Sequence, residues 1–124
     1  MRQEDKELLL KDLCARLPYG VKIQVPYEDG SGYFDETVWE VNNEGPFHVN
    51  GLGIEYEYVK PYLFPLSSMT EEQKKEYQYI TERWMYDSSY SISDSTDWLN
   101  KNHFDYRGLI KKGLAIDATG LNIY

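Results

Sequence analysis

Few residues of this chain stand in a pattern that does chemistry. The best spaced are His103, Asp105 and Tyr106, an imidazole two residues from a carboxylate with a phenol beside it. A carboxylate in that position can hydrogen bond the ring and shift its pKa, as a general base requires. The same pair also arises as a contact at a helix terminus. Structural networks imitate sites often enough that the structural role is the expected one. The second histidine, His48, lies between Phe47 and Val49, and strand alternation points it away from both. The single cysteine, Cys14, excludes an internal disulfide and argues against a cysteine zinc site. It falls on an apolar helical stripe with no histidine near it in sequence, so it reads as a small buried hydrophobe rather than a nucleophile.

The remaining motifs are weaker. The serines of 87–95 show no nucleophile elbow. Gly30-Ser31-Gly32 and Gly51-Leu52-Gly53 lack the following helix and lysine of a phosphate loop. Asp87, Asp94 and Asp97 lack calcium-loop spacing. No catalytic residue, metal or cofactor is assigned, and the chain is expected not to be an enzyme.

Charge is the more informative feature. The chain of 124 residues has a net charge of −8. Between Lys22 and Lys60 there is no Lys or Arg, and Glu28, Asp29, Asp35, Glu36, Glu40, Glu44, Glu55 and Glu57 all fall there. The flanking segments nearly cancel, so the acidity belongs to this one segment. Direct binding to a nucleic-acid backbone through it is disfavoured, because such binding displaces counterions with Lys and Arg. Lys101, Arg107, Lys111 and Lys112 would have to cluster to provide an alternative. A basic protein partner, or a second copy of the chain, is easier to accommodate. The simplest account remains a solvated sheet face that discourages edge pairing.

The elements that must position these residues follow from periodicity. Leu9, Leu10, Leu13, Cys14 and Leu17 recur at helical spacing over 1–18, and Pro18 with Gly20 stops the run. Val21, Ile23 and Val25 alternate as a strand, and Asp29-Gly30 marks a turn. Strand candidates continue over 33–41, with Thr37, Trp39 and Val41 on one face, then 47–49 and 54–58. Two prolines in Lys60–Leu66 are read as excluding a regular helix or a central strand, and leave a segment pinned against the core or a short final strand with an irregular turn.

Thr70 and Gln73 have capping-box spacing, and a helix follows to about residue 86 with Tyr77, Ile80, Thr81 and Trp84 buried. Asp94 or Ser95 caps a short helix through 102 that turns Trp98 and Leu99 inward. Asp105 caps a last turn ended by Gly113. Residues 115–124 carry no period and are either a docked tail or partly disordered. The expected fold is a single α+β domain over 1–124. A small antiparallel SH3-like barrel or curled sheet (19–66) would be flanked by an N-terminal helix and two or three C-terminal helices (67–114).

Two stretches, Val59-Lys60-Pro61-Tyr62-Leu63-Phe64-Pro65-Leu66-Ser67-Ser68-Met69-Thr70-Glu71-Glu72-Gln73 and Asp97-Trp98-Leu99-Asn100-Lys101-Asn102-His103-Phe104-Asp105-Tyr106-Arg107-Gly108-Leu109-Ile110, add a family signal. With the opening Leu-rich helix they resemble small proteins of gut bacteroidete genomes, their phages and mobile elements. That group has no assigned activity. The resemblance implies a cytoplasmic, phage or mobile-element accessory protein and brings no catalytic residues with it.

Twelve tyrosines in so small a chain cannot all be buried. Exposed Tyr beside acidic groups is a frequent composition of protein-binding surfaces, since Tyr adds contact area at low entropic cost. The leading reading is therefore a non-enzymatic interaction module, with Glu40, Glu55, Glu57, Tyr33, Tyr56 and Tyr58 as partner-binding residues. One alternative is an acidic mimic of nucleic acid that inhibits a host DNA-binding or defence protein. Another is a small enzyme using His103, Asp105 and Tyr106. No apolar stretch is long enough to cross a membrane. The charged first residues lack a signal-peptide core, and the expected location is the cytoplasm.

Overall fold

Glu4 and Asp5 open the first helix, α1 (Gln3–Arg16), and Arg16 closes it, each with the sign the helix dipole favours. Pro18 then tightens Leu17–Tyr19 into a 3-10 turn. Gly20, at φ +70°, takes the left-handed conformation that turns the chain into the sheet. The computed structural model describes residues 2–27, 29–38, 40–41, 46–47, 58–83 and 92–124.

The inward stripe of α1 is not the purely apolar one expected. Leu9, Asp12, Leu13 and Arg16 are buried, whereas Cys14 is exposed. Each residue turns a helix by about 100°, so burying Asp12 and Arg16 beside the leucines rotates position 14 out to solvent. The expectation of a buried cysteine is thus corrected.

Strands β1 (Lys22–Pro26) and β2 (Tyr33–Thr37) form an antiparallel hairpin with Ile23 opposite Glu36 and Val25 opposite Phe34. Its turn follows the Asp29-Gly30 signal: Gly30 has φ +75°, and the Asp29 carboxylate accepts the Ser31 N–H at 2.9 Å. The run 33–41 is not one strand. It breaks at Val38, which is 2% exposed and donates its N–H to the Val21 carbonyl. Glu40–Val41 (β3) then pairs separately with Pro46–Phe47 (β4). The candidate strand over 54–58 falls outside the described residues except for Tyr58, as do His48 and Trp84.

Lys60–Pro65 corrects the sequence reading most. It is a strand, β5, and it holds the sheet together. It pairs antiparallel with β1 (Ile23 opposite Pro61) and parallel with both β6 (Phe104–Asp105) and β7 (Ile116–Asp117). Its prolines are tolerated because each partner covers only two of its residues and the prolines fall towards its ends. Between them, the Phe64 N–H donates to the His103 carbonyl and the Leu63 carbonyl accepts the Ala118 N–H. The hydrogen-bonded order is β2-β1-β5-β6, with β7 also on β5. The fold is α+β, but the sheet is mixed and open. A closed SH3-like antiparallel barrel is not what the described residues form.

The capping box forms as its spacing requires. Gln73 N–H donates to Thr70 Oγ1 at 3.1 Å, and Thr70 N–H to Gln73 Oε1 at 2.9 Å, opening α2 (Glu71–Arg83). Helix α3 (Ile92–Lys101) starts before Asp94, which lies in its first turn instead of capping it. Trp98 and Leu99 are buried, and Trp98 stacks on Phe104 at 5.6 Å between ring centroids. Asp105 caps a turn, not a third helix. Its carboxylate accepts the Leu109 and Ile110 N–H groups. Gly113, at φ +76°, ends the turn in a Schellman pattern, with Leu114 N–H on the Leu109 carbonyl and Gly113 N–H on that of Ile110.

Two apolar clusters result. One packs α1 on the sheet through Leu9, Leu13, Val21, Ile23, Val25 and Leu63. The other joins α2 and α3 to the β5–β6 end through Trp98, Leu99, Phe104, Phe64 and Tyr77.

Residues 115–124 are a docked tail. Beyond β7, the Tyr124 hydroxyl accepts the Lys22 N–H at 2.9 Å and donates to the Tyr62 carbonyl at 2.8 Å. In the β1–β5 register, Lys22 would next face Tyr62, so this hydroxyl stands where a direct ladder bond would be. Lys22 Nζ also donates to the Ile123 carbonyl at 2.9 Å.

Candidate functional site

His103, Asp105 and Tyr106 do not form the predicted constellation. Both Asp105 oxygens accept backbone N–H groups. The Tyr106 hydroxyl donates to Asn100 Oδ1 at 2.8 Å. His103 Nδ1 is buried, and among the described residues it has no hydrogen-bond partner. The residue is 7% exposed, sits at φ +60°, and stacks on Tyr124 with ring centroids 3.8 Å apart. Burial, and then the charges of Arg16 and Lys22, push its imidazole down to about 4. That makes it neutral over the physiological range, and among the described residues no carboxylate bonds it.

Near this ring pair lies a polar cluster that periodicity did not reveal. Asp12 and Arg16 are wholly buried and joined Oδ2 to Nε at 2.9 Å. Arg107, from 95 positions along the chain, reaches the other oxygen of Asp12 at 2.7 Å. Arg16 also donates through Nη2 to the Phe104 carbonyl. The Tyr106 ring lies 5.4 Å from the Arg16 guanidinium carbon and 4.5 Å from that of Arg107. A buried charge without such partners would be strongly destabilising, so the cluster ties α1 to the segment after β6. The signal available in sequence was the i, i+4 Asp12–Arg16 pair set among leucines. Nothing pointed to Arg107. This pairing also withdraws Arg107 from any basic patch with Lys101, Lys111 and Lys112, which remain at the surface.

A second arrangement lies at the β2 end of the sheet, on the face away from α1. Alternation puts Ile23 and Val25 in the core and Lys22, Gln24 and Pro26 on the other side. Register places Asp35 and Lys60 beside Gln24, and Tyr33 beside Pro26. The Tyr62 hydroxyl reaches across β1, accepts from Gln24 Nε2 at 3.3 Å, and donates to Asp35 Oδ1. Burial, helped by the Asp35 bond, pushes its pKa up to about 12, so it stays a donor and orients a carboxylate that is itself at the surface. Next to this group Gln24, Pro26, Tyr33, Tyr58 and Lys60 line a surface recess of about 240 Å³. Tyr33 is 64% and Tyr58 55% exposed.

Two of the six sequence-predicted binding residues, Tyr33 and Tyr58, therefore come together from separate elements. Glu40 is exposed in β3, and Glu55, Tyr56 and Glu57 lie outside the described residues. The described acidic residues do not share one face. Asp35 stands with Tyr33, Glu36 points to the opposite face of β2, and Asp29 sits in the hairpin turn. Among the described residues no three His, Cys, Asp or Glu side chains gather as metal ligands, and no helix is long and apolar enough to cross a membrane.

Comparison with protein-family models, curated proteins and solved structures finds no match.

Proposed function

We propose that this chain is a non-enzymatic protein-interaction module whose working surface is the open β2 end of the sheet. The supporting observation is the joint exposure of Tyr33 and Tyr58 around one recess. Two large rings held more than half in water keep apolar area available for a partner to cover. The volume is below the roughly 300–1,000 Å³ usual for small-molecule sites, and it suits one or two side chains of a protein partner. Asp35, held by Tyr62, supplies a fixed acceptor beside the rings. The reading keeps the expected phage or mobile-element origin and a cytoplasmic location, with which an exposed free thiol at Cys14 is compatible.

Pulldown from host lysate with the wild-type chain and with a Y33A/Y58A double variant tests it, alongside light scattering for self-association. A partner, or a second copy, held by the wild type and released by the double variant is expected. A strict monomer that captures nothing specific, or capture indifferent to both tyrosines, overturns the proposal.

A further inference from the structure

The hairpin bonds fix which way the backbone of β2 faces. Tyr27 N–H donates to the Gly32 carbonyl and Val38 N–H to that of Val21, so even-numbered residues from 32 to 38 exchange bonds with β1. In an antiparallel pair, the residues between them turn their N–H and C=O groups to the other side. Tyr33, Asp35 and Thr37 therefore direct theirs outward from β2, the terminal strand of the sheet that the described residues form. Among the described residues no strand pairs that edge.

Sheet edges are ordinarily blunted by lysine, proline or a bulge, because an open edge pairs with whatever strand meets it. Tyr33-Phe34-Asp35-Glu36-Thr37 holds no lysine or proline, and its two charges are both negative, so they discourage an acidic strand and leave a basic one as the match for this edge. Asp35 is exposed on the face of the recess, so an incoming strand that turns side chains to that face meets negative charge there. A second copy in the fullest antiparallel register would set Tyr33 opposite Thr37 and Asp35 against Asp35, which like charges oppose.

We infer that β2 receives an extended, lysine- or arginine-bearing segment of a partner protein as an added strand, its basic side chains beside Asp35 and one apolar side chain in the Tyr33–Tyr58 recess. This deepens the interaction-module reading and rests on it. Main-chain bonds to Tyr33, Asp35 and Thr37 supply register, and the recess and the Asp35 carboxylate supply selectivity.

The test uses the full chain and a capped seven-residue peptide, Lys-Val-Lys-Thr-Lys-Val-Lys, with a counterpart carrying Glu for Lys. Saturating Lys peptide is expected to slow amide exchange at Tyr33, Asp35 and Thr37 by roughly tenfold or more, leaving Phe34 and Glu36 as they were. The Glu peptide is expected to do nothing, and added salt to weaken the Lys peptide. T37P removes an outward N–H while sparing the β1 ladder and both tyrosines. It should keep the fold by circular dichroism and lower peptide affinity about tenfold or more.

Exchange unchanged by the Lys peptide, equal binding of both peptides, or T37P binding as the wild type does overturns the inference. So does a dimer in light scattering that T37P dissolves, which would give the edge to a second copy. A lysate partner that needs Tyr33 and Tyr58 but tolerates T37P would leave the broader reading standing and remove only the added strand.

Discussion

Mild acidification should destabilise this protein through His103. The ring is buried against Tyr124, near Arg16 and Lys22, and among the described residues its Nδ1 has no hydrogen-bond partner. Its pKa falls from 6.5 to about 4 in the folded chain. Between those values the unfolded chain binds a proton that the folded chain does not. The stability tied to the neutral ring is therefore fully present above about pH 6.5 and is lost as pH falls towards 4. The whole shift corresponds to roughly 3 kcal/mol, of which about 2 kcal/mol is already lost at pH 5.

Urea unfolding of the wild type and H103N at pH 7.5 and pH 5.0 measures it. Asparagine tolerates the left-handed backbone at this position, so the variant removes the titration while preserving the turn. H103N loses stability at both pH values because the ring stack with Tyr124 is gone, but the additional wild-type loss of about 2 kcal/mol on going to pH 5.0 should be absent from it. Equal pH dependence in the two proteins, or a native imidazole titrating near 6.5 by NMR, would refute the reasoning.

Four other outcomes follow from the packing. D12A leaves Arg16 buried without its carboxylate and should cost about 3–5 kcal/mol in denaturant unfolding, whereas exposed Tyr33 changed to Ala should stay within about 0.5 kcal/mol. Y124F removes the hydroxyl between Lys22 and Tyr62 and should cost about 1–2 kcal/mol, read by thermal melting and by faster exchange of the Lys22 amide. In the wild type, Tyr62 and Tyr124 both ionise only near pH 12, so the stability from keeping them protonated is full below pH 10 and lost as pH rises towards 12. Cys14, exposed on α1, should react with a thiol reagent in the native protein without denaturant; protection from the reagent would contradict the rotation of the helix described above.

Local chemistry determined what the sequence could reveal by itself. The capping box of Thr70 and Gln73, the turn at Asp29-Gly30, the stop at Gly113 and the alternation of Val21, Ile23 and Val25 each depend on residues a few positions apart, and each forms as its spacing requires. The exposure of Tyr33 and Tyr58 was legible in kind, because so short a chain cannot bury every ring. Their meeting at one recess was not, since it depends on β5 placing Lys60 beside Gln24.

Only the tertiary structure decided the rest. A strand with two prolines became central because two-residue partners from distant positions supply its bonds. The α1 stripe rotated because Arg107, remote in sequence, completes a charge cluster that carries Asp12 and Arg16 inside. The His103–Asp105 spacing suggested a pair, but Leu109 and Ile110 took the carboxylate and Tyr124 took the ring. In each case the deciding partner lies on another element or in another turn. The periodicity of a segment constrains which side chains share a face, and the free energy of burying them depends on what the rest of the chain brings to that face.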